Sequence, residues 1–145
     1  MKNIIAKDII ELMKSGKKRQ VEITRFILSH IKNEEKEKKR DLNNSETIQV
    51  LKKLLKRNQE SYEQFNKAGR DDLAHKEKEE IDIIQNYLPD EISEEAVIEL
   101  VKHTIESCDA SSLKDMGKVI GTIKKSHGDN VDMSLVSKHV KILLN

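Results

Sequence analysis

The stretch "IQVLKKLLKRNQESYEQFNKAGRDD", residues 48–72, carries the most regular pattern in a chain of 145 residues. Ile48, Leu51, Leu55, Asn58, Tyr62 and Phe65 follow one another at steps of three and four, a heptad seam with the polar Asn58 inside it. A half-buried strand would alternate with period two, so this spacing predicts a helix with one buried face. Gly69 suits the left-handed position just past a helix end. Asp71 or Asp72 is expected to cap the next helix.

The same periodicity extends in both directions. Toward the N-terminus a helix is predicted over about residues 3–14, with Ile5, Ile9, Leu12 and Met13 on one face and Gly16 at its end. A second, over about residues 17–40, buries Ile23, Ile27, Leu28 and Ile31. Its other side presents Lys18, Arg25, Lys32 and Lys39 at intervals of seven, a basic stripe. "DLNNS" is a turn, with Asn44 or Ser45 as the next N-cap. Toward the C-terminus a helix over about residues 72–86 buries Leu73, Ile81 and Ile84, and Pro89 stops it. Ser93 then caps a helix over about 94–107, with Ile92 stapled to Val97, and two more are predicted at about 112–126 and 133–144. The expected fold is all-α. Long antiparallel helices form an N-terminal bundle (residues 1–90), followed by a small C-terminal three-helix bundle (residues 91–145).

Composition agrees, with 37% charged residues, 3% aromatic residues and a single proline. The net charge of +1 conceals segregation: residues 1–57 hold 16 Lys+Arg against 8 Asp+Glu, and residues 58–108 hold 5 against 14. A basic front half points to a polyanionic partner. Cys108 is the only cysteine, which fits a reducing compartment. No apolar run reaches bilayer length. The amphipathic start, with Asp8 and Glu11, reads as a first helix and not as a targeting signal. A cytoplasmic monomer without membrane contact is expected.

"SLKDMGKVIGTIKK", residues 112–125, raises the possibility of a phosphate loop. That loop needs a glycine five residues before the Gly-Lys pair and Ser or Thr after the lysine. Ser112 and Val119 stand there instead. Ser112 and Asp115 form a capping box, so the stretch opens a helix. Leu113, Met116, Gly117, Ile120 and Ile123 are expected inward, with Gly117 bordering the packed face. Lys114, Lys118, Gly121 and Lys125 form an outer stripe on which Gly121 lets a sugar-phosphate backbone approach.

The runs "NQESYEQFNKAGRDDLAHKEKEEIDIIQNYLP" (residues 58–89) and "SSLKDMGKVIGTIKK" (residues 111–125) resemble the two signature blocks of the YqeY family. That family is similar to the C-terminal tail of the B subunit of glutamine-dependent aspartyl/glutamyl-tRNA amidotransferase, the GatB/YqeY domain. The resemblance covers essentially the whole chain. It implies a helical N-terminal part, a three-helix C-terminal part and a role in holding tRNA. The family motif falls on Lys114, Gly117, Lys118 and Gly121, and on Lys67, Gly69 and Arg70 at the earlier turn. Glutamine hydrolysis and the kinase-like chemistry of the amidotransferase belong to parts that this chain does not match. Relatives read like G-R-A-D-G before the last helix, whereas Asp129 and Asn130 come after Gly128 here.

No enzyme site is evident. The histidines at 30, 75, 103, 127 and 139 have no metal-ligand spacing, and neither a metal nor a cofactor is expected. His75 and Glu79 share a helix face, and Cys108 lies just past Glu106 without a basic neighbour. No catalytic residue is assigned, and catalysis by the chain alone is not expected. Three functions rank in order. The first is binding of tRNA or another structured RNA through Lys114, Gly117, Lys118, Gly121, Lys125, Lys18, Arg25, Lys32, Lys67 and Arg70. The second is helping an amidotransferase or the aminoacyl-tRNA synthesis machinery in glutamine-dependent amide transfer. The third is a protein adaptor. Because Tyr62 and Phe65 belong to the seam, phosphate contacts and not base stacking should dominate.

Overall fold

The computed structural model describes residues 1–145 as seven α-helices with no strand: α1 (Lys2–Lys14), α2 (Lys18–Lys38), α3 (Asn44–Lys67), α4 (Asp71–Tyr87), α5 (Glu94–Ser107), α6 (Met116–His127) and α7 (Met133–Leu144). The protein is all-α. It divides into two compact units, Met1–Leu88 and Pro89–Asn145. No helix is long and apolar enough to cross a membrane.

Helix ends in the first unit obey local stereochemistry. Past α1, Gly16 takes φ +71°, while the Lys17 N–H donates to the Leu12 carbonyl at 3.1 Å. Gly69 closes α3 in the same way at φ +70°, with the Arg70 N–H on the Phe65 carbonyl at 2.9 Å. α2 ends likewise, but Lys39 occupies the left-handed position at φ +56°. The helix therefore stops short of residue 40, and Lys39 leaves the basic stripe. The N-cap of α3 is Asn43, not Asn44 or Ser45, because only Asn43 has Glu46 at the third helical position to return its bond. Neither Asp71 nor Asp72 caps α4. Arg70 holds the cap position without a side-chain bond, and both aspartates lie in the first turn, where the helix dipole favours them. Leu88 is extended (φ −86°, ψ 145°) before Pro89, and α4 stops at Tyr87.

The core of this unit gathers Ile5, Ile23, Ile27, Ile31, Leu51, Leu54 and Ile84 from four helices. Each fully buried side chain contributes about 1.5–3 kcal/mol. α3 packs along α4 and α1 along α2, and α2 also touches α3 and α4. The seam is buried at Ile48, Leu51 and Asn58, whereas Leu55, Tyr62 and Phe65 are half-buried. Asn58 stays buried because its amide donates to the Glu80 carboxylate. Met13, expected inward, is 54% exposed, since α1 turns only its Ile5 and Ile9 side toward the core.

In the second unit each of α5, α6 and α7 touches the other two. Val97, Val101, Val119, Ile123, Val131, Val136, Val140 and Leu144 make its core, with Ile92 packed against them. The Ser93 hydroxyl accepts from the Ala96 N–H at 3.2 Å, and Asp132 caps α7 through the Ser134 N–H at 2.8 Å. The Ile92 N–H donates to the Asn130 carbonyl at 3.0 Å, which ties the entry of α5 to the loop before α7. A 3-10 turn, Leu113–Asp115, precedes α6.

Candidate nucleic-acid interface

α6 turns Val119 and Ile123 fully inward, with Met116 and Ile120 packed at the edge of the core. Leu113, expected inward, is 45% exposed. Gly117 is exposed as well, and a methyl group built on it would meet nothing within 4 Å, so it does not border the packed face. Leu113 lies in the 3-10 turn, which winds more tightly than an α-helix, so it falls out of phase with α6. Within α6 itself Val119 takes the inward side, and at 100° per residue Gly117, two positions earlier, falls on the opposite side. Gly121 is equally open. At 100° per residue the two glycines lie together on the outer face of α6, flanked by Lys124 on one side and by Lys125 on the other; Lys114 lies in the 3-10 turn just before the helix. All three lysines are exposed, and none of them is held in an ion pair. The sequence pattern does not single out Lys124, although its spacing of three from Gly121 carries the signal.

Lys118 is different. Its ammonium donates to the Cys108 carbonyl at 2.9 Å, so it satisfies one of the unpaired carbonyls at the end of α5. Cys108 thus has a basic neighbour after all, at its carbonyl. Its Sγ lies 3.7 Å from the Thr122 hydroxyl. The start of α6 is fixed by Asp115, whose carboxylate accepts from the Ser111 and Ser112 N–H groups at 2.9 and 3.2 Å. Those two bonds hold its pKa below the ordinary value.

In the first unit Lys18, Arg25 and Lys32 are all exposed along α2, as the interval of seven requires. Lys18 and Lys32 are in no ion pair, and the Arg25 guanidinium touches the Met13 sulfur at 3.4 Å. Lys67 is exposed in the last turn of α3. Arg70 is partly neutralised by Asp72, 3.5 Å away, and it lowers the pKa of that carboxyl. On α4, Glu79 bridges the His75 ring at 3.0 Å and the Arg19 guanidinium of α2 at 3.0 Å. In the second unit His139 pairs with Glu94 at 2.8 Å, which pulls the Glu94 pKa down.

The fold and this site define an all-α protein whose second unit offers an exposed helix face of glycines and lysines. The family model for Yqey-like protein matches residues 2–144, and the chain belongs to that family. It is 31% identical over 139 residues to altered inheritance of mitochondria protein 41, mitochondrial, of Pyrenophora tritici-repentis, covering 92% of this chain and 75% of that protein. It is 34% identical over 90 residues to an uncharacterized protein of Schizosaccharomyces pombe, covering 62% of this chain and 73% of the other. A protein of Lachancea thermotolerans with the same name as the first is 40% identical over 65 residues, covering 44% of this chain and 35% of its own length.

Proposed function

We propose that this protein is an RNA-binding module that holds the sugar-phosphate backbone of tRNA or another structured RNA on the outer face of α6. One observation carries this reading: Gly117 and Gly121 lie open between Lys124 and Lys125, with the exposed Lys114 just before the helix. A glycine inside a helix costs about 0.5–1 kcal/mol relative to alanine, and no contact within the fold compensates for it at Gly121. A bare backbone flanked by ammonium groups suits a phosphate chain, which is drawn in by counterion release and comes closest where no side chain intervenes. The resemblance to the tRNA-holding amidotransferase tail supports the same choice of ligand. The α2 stripe of Lys18, Arg25 and Lys32 adds sequence-independent attraction, and Lys67 and Arg70 a smaller share. Lys118 contributes by fixing α5 against α6. In this reading the long helices form one bundle, and the last three form a smaller one that presents the interface.

Affinity of the purified chain for unmodified tRNA, compared between the wild type and Gly121→Gln, tests the proposal. Glutamine is a good helix former, so the circular dichroism spectrum should be unchanged while affinity falls several-fold. Equal affinity for tRNA would remove α6 from the interface. Crosslinking in cells that recovers proteins and no RNA would favour an adaptor instead.

A further inference from the structure

A recess lies between α2 and α3, on a face that the α6 proposal does not use. It measures about 200 Å³ and is lined by His30 and Glu34 of α2 and by Val50, Lys53, Leu54 and Arg57 of α3. At its rim stands Phe26, one turn before His30 and 37% exposed. The Phe26 and His30 rings meet edge to face, with centroids 4.6 Å apart. The Arg57 guanidinium lies over the Phe26 ring, 6.0 Å from its centroid. Of the four aromatic residues, Tyr62 and Phe65 belong to the seam, which leaves few aromatics free to stack, and the Tyr87 hydroxyl is held by the Asp8 carboxylate. Phe26 is the exception.

The chemistry of the recess is selective. Val50 and Leu54 make an apolar floor, while Lys53 and Arg57 supply two positive charges. Lys53 is in no ion pair, and Glu34, the acid on the rim, lies 3.9 Å from the Lys38 ammonium. The space is smaller than the roughly 300–1,000 Å³ of pockets that enclose drug-sized ligands, so it suits one ring system and not a whole cofactor. Burial first, and the charge of Arg57 second, lower the His30 pKa, so the imidazole can both donate and accept at neutral pH. An acidic peptide would match the two cations but leave the Phe26 and His30 surfaces uncovered. A nucleotide matches both. We propose that this recess takes one unpaired nucleotide of a single-stranded RNA segment, its base against Phe26 and His30 and its phosphate between Lys53 and Arg57. Arg57 keeps the ring contact and turns its outer N–H groups to the phosphate. The recess does not depend on α6 for this role.

The test tracks the ring resonances of Phe26 and His30 and the amides of α2 and α3 by NMR in the full-length protein, as hexaadenylate is added. These resonances should shift together. Phe26→Leu keeps apolar bulk and should weaken binding about fivefold or more, the loss expected for one stacked base. Arg57→Gln, on the exposed rim, should weaken binding and reduce its salt dependence while the amide spectrum stays native. Lys125→Glu on α6 should leave the recess shifts as they are, which separates this site from the α6 interface. Three results would each overturn the proposal: unmoved recess resonances, an abasic ribose-phosphate hexamer binding as tightly as hexaadenylate, or hexaglutamate peptide doing so.

Discussion

Gly121 and Gly128, seven residues apart, should respond to an added methyl group in opposite ways. Gly121 is exposed in mid-helix with open space around it, so Gly121→Ala should raise stability by roughly 0.5–1 kcal/mol. Gly128 is buried at the C-cap of α6, where a Cβ would run into the Lys124 carbonyl. Gly128→Ala should therefore lower stability by about 1–3 kcal/mol. Urea melts of both variants with unchanged slopes would check the pair; destabilisation by Gly121→Ala would make that glycine a packing residue. Lys39 offers a third case. It holds φ +56°, a conformation costing a non-glycine residue roughly 1–2 kcal/mol, and its backbone N–H is fixed to the Lys36 carbonyl at 3.3 Å. Lys39→Gly relieves that strain but adds chain entropy of about 0.5–1 kcal/mol to the unfolded state. The expected net gain is a few tenths of a kcal/mol to about 1, read as a higher urea midpoint.

At the scale of the element, the entry to α3 concentrates several bonds on one carboxylate. Glu46 accepts from the Arg40 guanidinium at 2.6 and 2.8 Å and from the Asn43 N–H at 3.0 Å. These bonds, Arg40 first, hold its pKa at about 2 in place of the ordinary 4.5. A depressed carboxyl pKa contributes stability above its unfolded value and loses it as pH falls through the interval down to its folded value. The α3 cap should therefore weaken progressively from about pH 4.5 to about pH 2. Glu46→Gln should remove most of that acid sensitivity; an unchanged pH profile of stability would show that other carboxylates govern it. The same element marks what sequence can and cannot reveal. Gly69 and Pro89 declare their turns because φ is fixed locally, and Ser93 declares its cap for a similar reason. "DLNNS" offers three adjacent caps, and the choice of Asn43 depends on which residue Glu46 can reach back to. For α6 the pattern yields the helix and its inward Ile123 but misplaces the buried side: it omits Val119 and includes the open Gly117, and Leu113 lies in a 3-10 turn where the capping box suggests α-helix from the start. Of the open lysines, Lys114 and Lys125 are legible from the expected stripe, whereas Lys124 is not singled out by it. The diversion of Lys118 to the end of α5 is not, since it arises from packing two helices separated by a loop.

For the molecule as a whole, the net charge of +1 says little about attraction to a polyanion. The second unit holds seven Lys+Arg against ten Asp+Glu, yet four of the seven are Lys114, Lys118, Lys124 and Lys125 on or just before α6. Four of the ten acids, Glu94, Glu95, Glu99 and Glu106, belong to α5. Such segregation makes a local field that a net charge conceals, and salt screens it within about 8–10 Å. Binding should accordingly depend on salt through a small number of phosphates. Three free lysines on or just before α6 contribute about −2 to −3 to the slope of log K against log salt for a structured RNA, at about 0.9 per duplex phosphate. Lys18, Arg25 and Lys32 on α2 would add a similar share. Replacing Lys114, Lys124 and Lys125 together with glutamate should flatten the slope by about the α6 share and weaken binding at low salt most. Helical content should hold, because all three side chains are exposed and unpaired. The matching triple change at Lys18, Arg25 and Lys32 measures the α2 share on the same plot. If the α6 triple variant binds tRNA with the wild-type slope, the phosphates lie elsewhere. If the α2 variant alone keeps that slope, the interface belongs to α6.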